Sequence, residues 1–114
     1  MSIDTATLSD QELAELRDLL LRLREENEAD LHRARQAMAD LSRNQLLVDP
    51  SMREVSTNAE YLIEDASAII EKVDAALARI TAGTYGICTS CGKSIPIGRL
   101  RVRPYQPTCV SCSS

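Results

Sequence analysis

From Ser9 to Asp49 the chain contains neither glycine nor proline, and after Pro50 it contains neither until Gly83. Two breaker-free stretches separated by one proline favour two long helices joined by a single turn. The composition points the same way. There is no Phe and no Trp, and only three Tyr. The apolar content is mostly Leu, Ala, Ile and Val interleaved with charge, which suits helices carrying a narrow apolar seam rather than a wide core.

The first stretch opens with Ser9-Asp10-Gln11-Glu12. This is a capping box, in which the Ser9 hydroxyl and the Glu12 carboxylate satisfy exposed amides reciprocally. Apolar residues then recur at Leu13, Leu16, Leu20, Leu23, Leu31, Ala34, Met38 and Leu41, in steps of threes and fours. Such steps mark one face of a helix. Asn27 sits between Leu23 and Leu31 and reads as a polar residue that sets register. Asp49-Pro50 ends the pattern and starts the next helix, with Asp49 as N-cap and Pro50 at the first helical position. The second seam is Val55, Ala59, Leu62, Ala66, Ile69, Val73, Leu77 and Ile80, and Gly83 stops it. The expected fold is mainly α. Residues 1–83 form an antiparallel coiled-coil hairpin with its tip near 44–53, and residues 84–114 form a small separate module.

All four cysteines lie in that module, as Cys88-Thr-Ser-Cys91 and Cys109-Val-Ser-Cys112, with seventeen residues between the pairs. Two C-x-x-C pairs at this spacing are the signature of a structural Zn²⁺ site, in which each pair supplies two thiolates from a tight turn. Gly92 follows Cys91 and suits the positive φ such a turn needs. Two disulfides, or one redox C-x-x-C, are the competing readings. The polar N-terminus has no secretory signal, and no βαβ pattern surrounds the cysteines, so zinc is the expectation. Four thiolates close the coordination sphere, so the metal braces a fold and activates no water. Tyr85, Ile87, Ile95, Ile97, Leu100 and Val102 are expected to form a small core around it. That core is too small to fold without metal.

Charge is unevenly shared. Residues 1–83 carry all seventeen acidic side chains and nine basic ones, a balance of −8; residues 84–114 carry Lys93, Arg99, Arg101 and Arg103 and no acid. An acidic hairpin with a mildly basic end is poorly suited to gripping a DNA backbone and better suited to a protein partner. No catalytic constellation or phosphate loop is present, and His32 reads as a solvated helix residue. No run of about 18 apolar residues exists to span a membrane. The expectation is a non-enzymatic, cytoplasmic, monomeric protein.

The sequence Tyr85-Gly86-Ile87-Cys88, continued by Arg99-Leu100, Arg103-Pro104 and Cys109 to Cys112, resembles the DksA/TraR family of zinc-finger transcription regulators. The resemblance implies a factor that binds RNA polymerase without a DNA sequence and inserts its hairpin tip into the secondary channel to modulate initiation. The family's tip pattern is Asp-x-x-Asp-x-Ala. Here Asp49 takes the first acid, Met52 the second and Glu54 the alanine, so one acid of two remains. Asp49 reads equally as a cap. The departure implies an effect on initiation weaker than, or different from, that of the best-known members. Some members respond to the alarmone ppGpp. The resemblance puts Lys72 and Arg103 at phosphate-contacting positions, with Ser113 at a further position that is otherwise basic. Lys72 also reads as a solvated helix lysine, and Arg103 as a brace between finger and hairpin. A coiled-coil adaptor, or less favourably a nucleic-acid-binding finger, is the alternative function.

Overall fold

The computed structural model describes residues 8–43 and 50–112, with the side chains of all of these except 50–53 and 55. Helix α1 spans Asp10–Arg43 and helix α2 spans Pro50–Ala82. A short helix α3, Ile97–Val102, and a 3₁₀ turn, Val110–Cys112, follow. The two long helices pack together as a hairpin. No described helix is long and apolar enough to cross a membrane.

The helix ends follow from the local chemistry. The Glu12 amide donates to Ser9 Oγ at 3.0 Å and the Ser9 amide to Glu12 Oε1 at 2.9 Å, so both arms of the capping box form. Pro50 begins α2, where its missing N–H costs nothing. The expected N-cap Asp49 lies outside the described residues. At the other end Gly83 has φ +79°, its amide donates to Ile80 O at 3.2 Å, and the Thr84 amide donates to Arg79 O at 2.9 Å. Those two bonds are the Schellman pattern, and they satisfy carbonyls that the helix end would otherwise leave open. On α1, Arg24–Glu28 at 2.5 Å, Arg43–Asp40 at 2.6 Å and a short Arg33–Asp30 pair link successive turns. All six side chains are substantially exposed, so each pair adds only about 0.3–0.5 kcal/mol.

The chain forms two compact units, one of residues up to Leu23 with those from Lys72 onward, the other of Arg24–Glu71. Each holds part of α1 and part of α2. In the first unit Leu16, Leu20, Val73 and Ala76 are fully buried, together with Tyr85, Cys88, Ile95 and Leu100. In the second the buried residues are Ala34, Leu41, Ala59 and Ala66. There Ser56 Oγ meets Met38 Sδ at 3.6 Å. Residues near the end of α1 therefore face residues near the start of α2, which fixes an antiparallel pairing in this unit. A buried Leu stabilises by about 1.5–3 kcal/mol and a buried Ala by much less. The first unit thus carries most of the hydrophobic stabilisation.

Two seam assignments change. Leu62 was expected inside, yet half of it is exposed, and Ile63 is the more buried of the two. Counting from the buried Ala59 at about 100° per residue, position 63 lies roughly 40° off the seam and position 62 roughly 60° off on the other side. Ala76, not part of the expected seam, is fully buried beside Val73. His32 is exposed on α1, as a solvated histidine would be.

Candidate metal centre

The first cysteine pair sits on a knuckle built by backbone bonds. The Gly92 amide donates to Cys88 O at 2.9 Å, the Cys88 amide to Lys93 O at 2.8 Å and the Ile95 amide to Gly86 O at 2.8 Å. An antiparallel bridge pairs Ile87 with Ser94. Gly92 has φ +77°, the left-handed conformation expected of it. In the second pair Cys109 precedes the 3₁₀ turn and Cys112 ends it, and the Cys112 amide donates to Cys109 O at 3.1 Å. One backbone bond links the first knuckle to the segment before the second pair, and two further bonds hold that segment in place. The Thr89 amide donates to Pro107 O at 2.9 Å, Arg99 Nε to Thr108 O at 3.2 Å, and Gln106 Nε2 to Thr108 Oγ1 at 2.9 Å.

The result is four sulfurs, those of Cys88, Cys91, Cys109 and Cys112, all within 4.8 Å of one another. Cys91 Sγ and Cys109 Sγ are 3.7 Å apart. The edge of a tetrahedron with ~2.3 Å Zn–S bonds is ~3.8 Å, so this separation is what one zinc ion requires. The electrostatics agree. Burial alone would raise the Cys88 thiol, but the backbone amides of Cys109, Cys91 and Ser90 and the Cys91 thiol bring it down to about 6. The neighbouring thiols of Cys109, Cys88 and Cys91 push Cys112 up to about 12. Four sulfurs this close welcome a first negative charge and resist the last, and a dication removes that resistance. The donor set therefore fits one structural Zn²⁺, with all four positions filled by sulfur and none left for catalysis.

The finger's small core forms around Tyr85, Ile95 and Leu100, all buried, with Ile87 and Ile97 half-buried. Val102 is the exception, at 79 % exposure. It lies two residues past Leu100 on α3, about 200° around the helix axis, and so points away from the core. Gly86 has φ +88°, and a Cβ there would come within 2.8 Å of Leu8 Cδ1. The Leu8 methyl could move aside, so it is the positive φ, which L side chains rarely adopt, that calls for glycine here.

Several long-range contacts tie the finger to the helices of its own unit. Arg101 Nε and Nη2 donate to the Glu15 carboxylate at 2.8 and 3.2 Å. The Arg101 hydrogen bonds hold the Glu15 carboxyl below its ordinary range. Arg79 Nη2 reaches Tyr105 O at 3.5 Å. Lys72 Nζ lies 5.8 Å from the centre of the Tyr105 ring, within cation–π range. Within the finger, the buried Tyr85 hydroxyl donates to Pro104 O at 2.7 Å. Expected as a possible brace, Arg103 is exposed, and its amide caps α3 on Arg99 O at 2.9 Å. The contacts from finger to helix come instead from Arg101 with Glu15, Arg79 with Tyr105 O and Lys72 with the Tyr105 ring. Glu54 is exposed on α2, Asp49 lies outside the described residues, and Met52 is in the first turn of α2 with its side chain outside the described set.

Tyr85→Phe removes one hydrogen bond and strands the Pro104 carbonyl. We expect it to cost about 1–2 kcal/mol in urea unfolding of the zinc-loaded protein. Burial pushes the Tyr85 phenol up to about 12, against a smaller opposing effect of Arg79. An unfolded tyrosine ionises near pH 10. The contribution of this group to stability is therefore complete below pH 10 and is lost as pH rises from about 10 to 12. The Phe variant should lack that alkaline component, and an unchanged alkaline slope would exclude Tyr85 as its source.

Residues 83–113 match the prokaryotic dksA/traR C4-type zinc finger family. An uncharacterised protein of Aquifex aeolicus is 39% identical over 61 residues, covering 50% of this chain and 42% of that protein. The RNA polymerase-binding transcription factor DksA of Escherichia coli K12 is 31% identical over 68 residues, covering 59% of this chain and 45% of that protein. These matches span less than half the length of either relative. The structure of transcription factor DksA2 from Pseudomonas aeruginosa superimposes with a TM-score of 0.80 at 31% identity, covering 96% of this chain and 85% of that one. With a finger that matches the family over residues 83–113 and a fold that follows DksA2 along nearly the whole chain, this chain belongs to the DksA/TraR family of C4-type zinc-finger proteins.

Proposed function

We propose that this protein is a transcription regulator that binds RNA polymerase and acts through protein contacts rather than catalysis. The observation that carries the reading is the near-full-length likeness to a DksA2 transcription factor. In this reading the finger of residues 84–114, clamped by zinc on Cys88, Cys91, Cys109 and Cys112, anchors the hairpin of residues 1–83. The turn between α1 and α2 enters the polymerase secondary channel, and Asp49, Met52 and Glu54 approach the catalytic centre. With one acid where the family has two, the electrostatic effect on the polymerase's metal is reduced. The protein works as a cytoplasmic monomer.

Lys72 and Arg103 are the residues proposed to meet ppGpp. Lys72 lies over Tyr105, and Tyr105 follows Arg103 by two positions, so both cations belong to one neighbourhood. Direct DNA binding is the weaker reading. Of the four finger cations, Arg101 is engaged by Glu15 and Arg99 by Thr108 O, which leaves little for a phosphate backbone.

Site-specific crosslinking from position 52 to purified core RNA polymerase tests the proposal. Crosslinks are expected inside the secondary channel. Crosslinks confined to the outer surface, or absence of a complex, would overturn it.

A further inference from the structure

We infer that the 24–71 part of the hairpin presents a second docking surface, built around Leu62 and Tyr61, for a basic protein segment that carries one apolar anchor residue. The inference rests on the polymerase reading, since the segment it assigns belongs to that enzyme.

The first observation is apolar. Leu62 is 52% exposed and Tyr61 69% exposed. Leu62 forms one wall of a groove of about 450 Å³ between α1 and α2, floored by Ala34, Ala37 and Ala59. The small alanines that let the helices approach closely leave this hollow beside a large side chain. It is roomy enough for a leucine- or methionine-sized anchor, which would cover Leu62 and the alanine methyls together. Well-packed pockets of this kind hold the strongest contacts of protein interfaces.

The second observation is electrostatic and selects the occupant. From Glu54 to Glu71, α2 carries Glu54, Glu60, Glu64, Asp65 and Glu71 and no Lys or Arg. Tyr61 shares a shallow hollow with Glu60, Glu64 and Thr57. A guanidinium over an aromatic ring with carboxylates beside it gains cation–π and charge-assisted contacts at once. On the opposite rim Arg33 is paired with Asp30, so it presents no free positive charge. Residues 24–71 contain eleven acidic and five basic side chains, a balance of −6. A second copy of this segment would set −6 against −6, and a nucleic acid strand would be repelled along its length. A basic protein segment is attracted by the same charge that rejects both.

The test measures the affinity of full-length, zinc-loaded protein for core RNA polymerase by competition. Leu62→Glu should weaken binding by tenfold or more, and Tyr61→Ala severalfold. The pair Glu60→Lys with Glu64→Lys should weaken it further and flatten its salt dependence. Leu62 and Tyr61 are exposed, so helicity and melting temperature should stay those of the parent. If Leu62→Glu did perturb folding, Tyr61→Ala alone decides. Parent protein that binds while both single variants bind equally well would overturn the docking surface and leave the polymerase reading standing. Parent protein that fails to bind would overturn both. A dimer seen by sedimentation velocity and abolished by Leu62→Glu would assign the groove to a second copy and also overturn the inference.

Discussion

Removing the zinc, by chelation or by Cys112→Ser, is expected to unfold residues 84–112 while the 24–71 stretch of α1 and α2 keeps its helicity. The finger buries only Tyr85, Ile95 and Leu100 as large apolar groups besides Cys88, too little to offset the ordering of its turns. Structural zinc in small fingers contributes about 10–16 kcal/mol, which exceeds the entire stability of many domains. Without it the four sulfurs cannot all remain anionic within 4.8 Å, and the knuckles lose the bond that makes them adjacent. The contacts that depend on finger geometry should go together: Arg101 with Glu15, Tyr85 with Pro104 O, and Lys72 with Tyr105. Because the ligands must be thiolates, acidification should release the metal and reproduce the same partial unfolding. Amide exchange and far-UV circular dichroism read the outcome. A metal-free protein whose finger amides stay as protected as those of the zinc form would remove the metal from its structural role.

How much of this could be read from the residues alone depended on how far apart the interacting groups lie in the chain. The capping box at Ser9 and Glu12, the stop at Gly83 and the turn at Gly92 were legible, because each is settled within a few positions by backbone chemistry. The cysteine spacing named its own chemistry for the same reason. Periodicity found the seams but not their edges. Leu62 and Ile63 lie on opposite sides of the Ala59 line, and a count of threes and fours cannot choose between them. Val102 was placed in the finger core because its residue type is apolar, before the short helix α3 turned it outward. The braces were invisible. Glu15 and Arg101 are 86 positions apart, and no local pattern marks either one as a partner. Tyr85 was assigned a place in the core, yet the Pro104 carbonyl that its hydroxyl meets depends on the whole finger being closed.

Leu20→Ala should cost about 3 kcal/mol, shown as a lower urea midpoint at unchanged slope, whereas Leu62→Ala should stay within about 0.5 kcal/mol of the parent. Both lie on the expected seams, and both are leucines in long helices. They differ in surroundings. Leu20 has no exposed surface and shares its unit with the fully buried Leu16, Val73 and Ala76, while half of Leu62 faces solvent. Truncating Leu20 opens a cavity that its packed neighbours cannot fill; truncating Leu62 widens a groove already open to water. The same contrast predicts an order of opening in native-state hydrogen exchange. Amides of the 24–71 unit, buried around Ala34, Ala59 and Ala66 with Leu41, should exchange through lower-energy openings than those near Leu16, Leu20 and Val73. If the two alanine variants shifted the midpoint equally, the placement of the stabilising core in the unit that holds the finger would be wrong. A stable base with a more labile hairpin segment also suits the proposed work, since the segment that meets a partner can adjust to it without loosening the metal-clamped end.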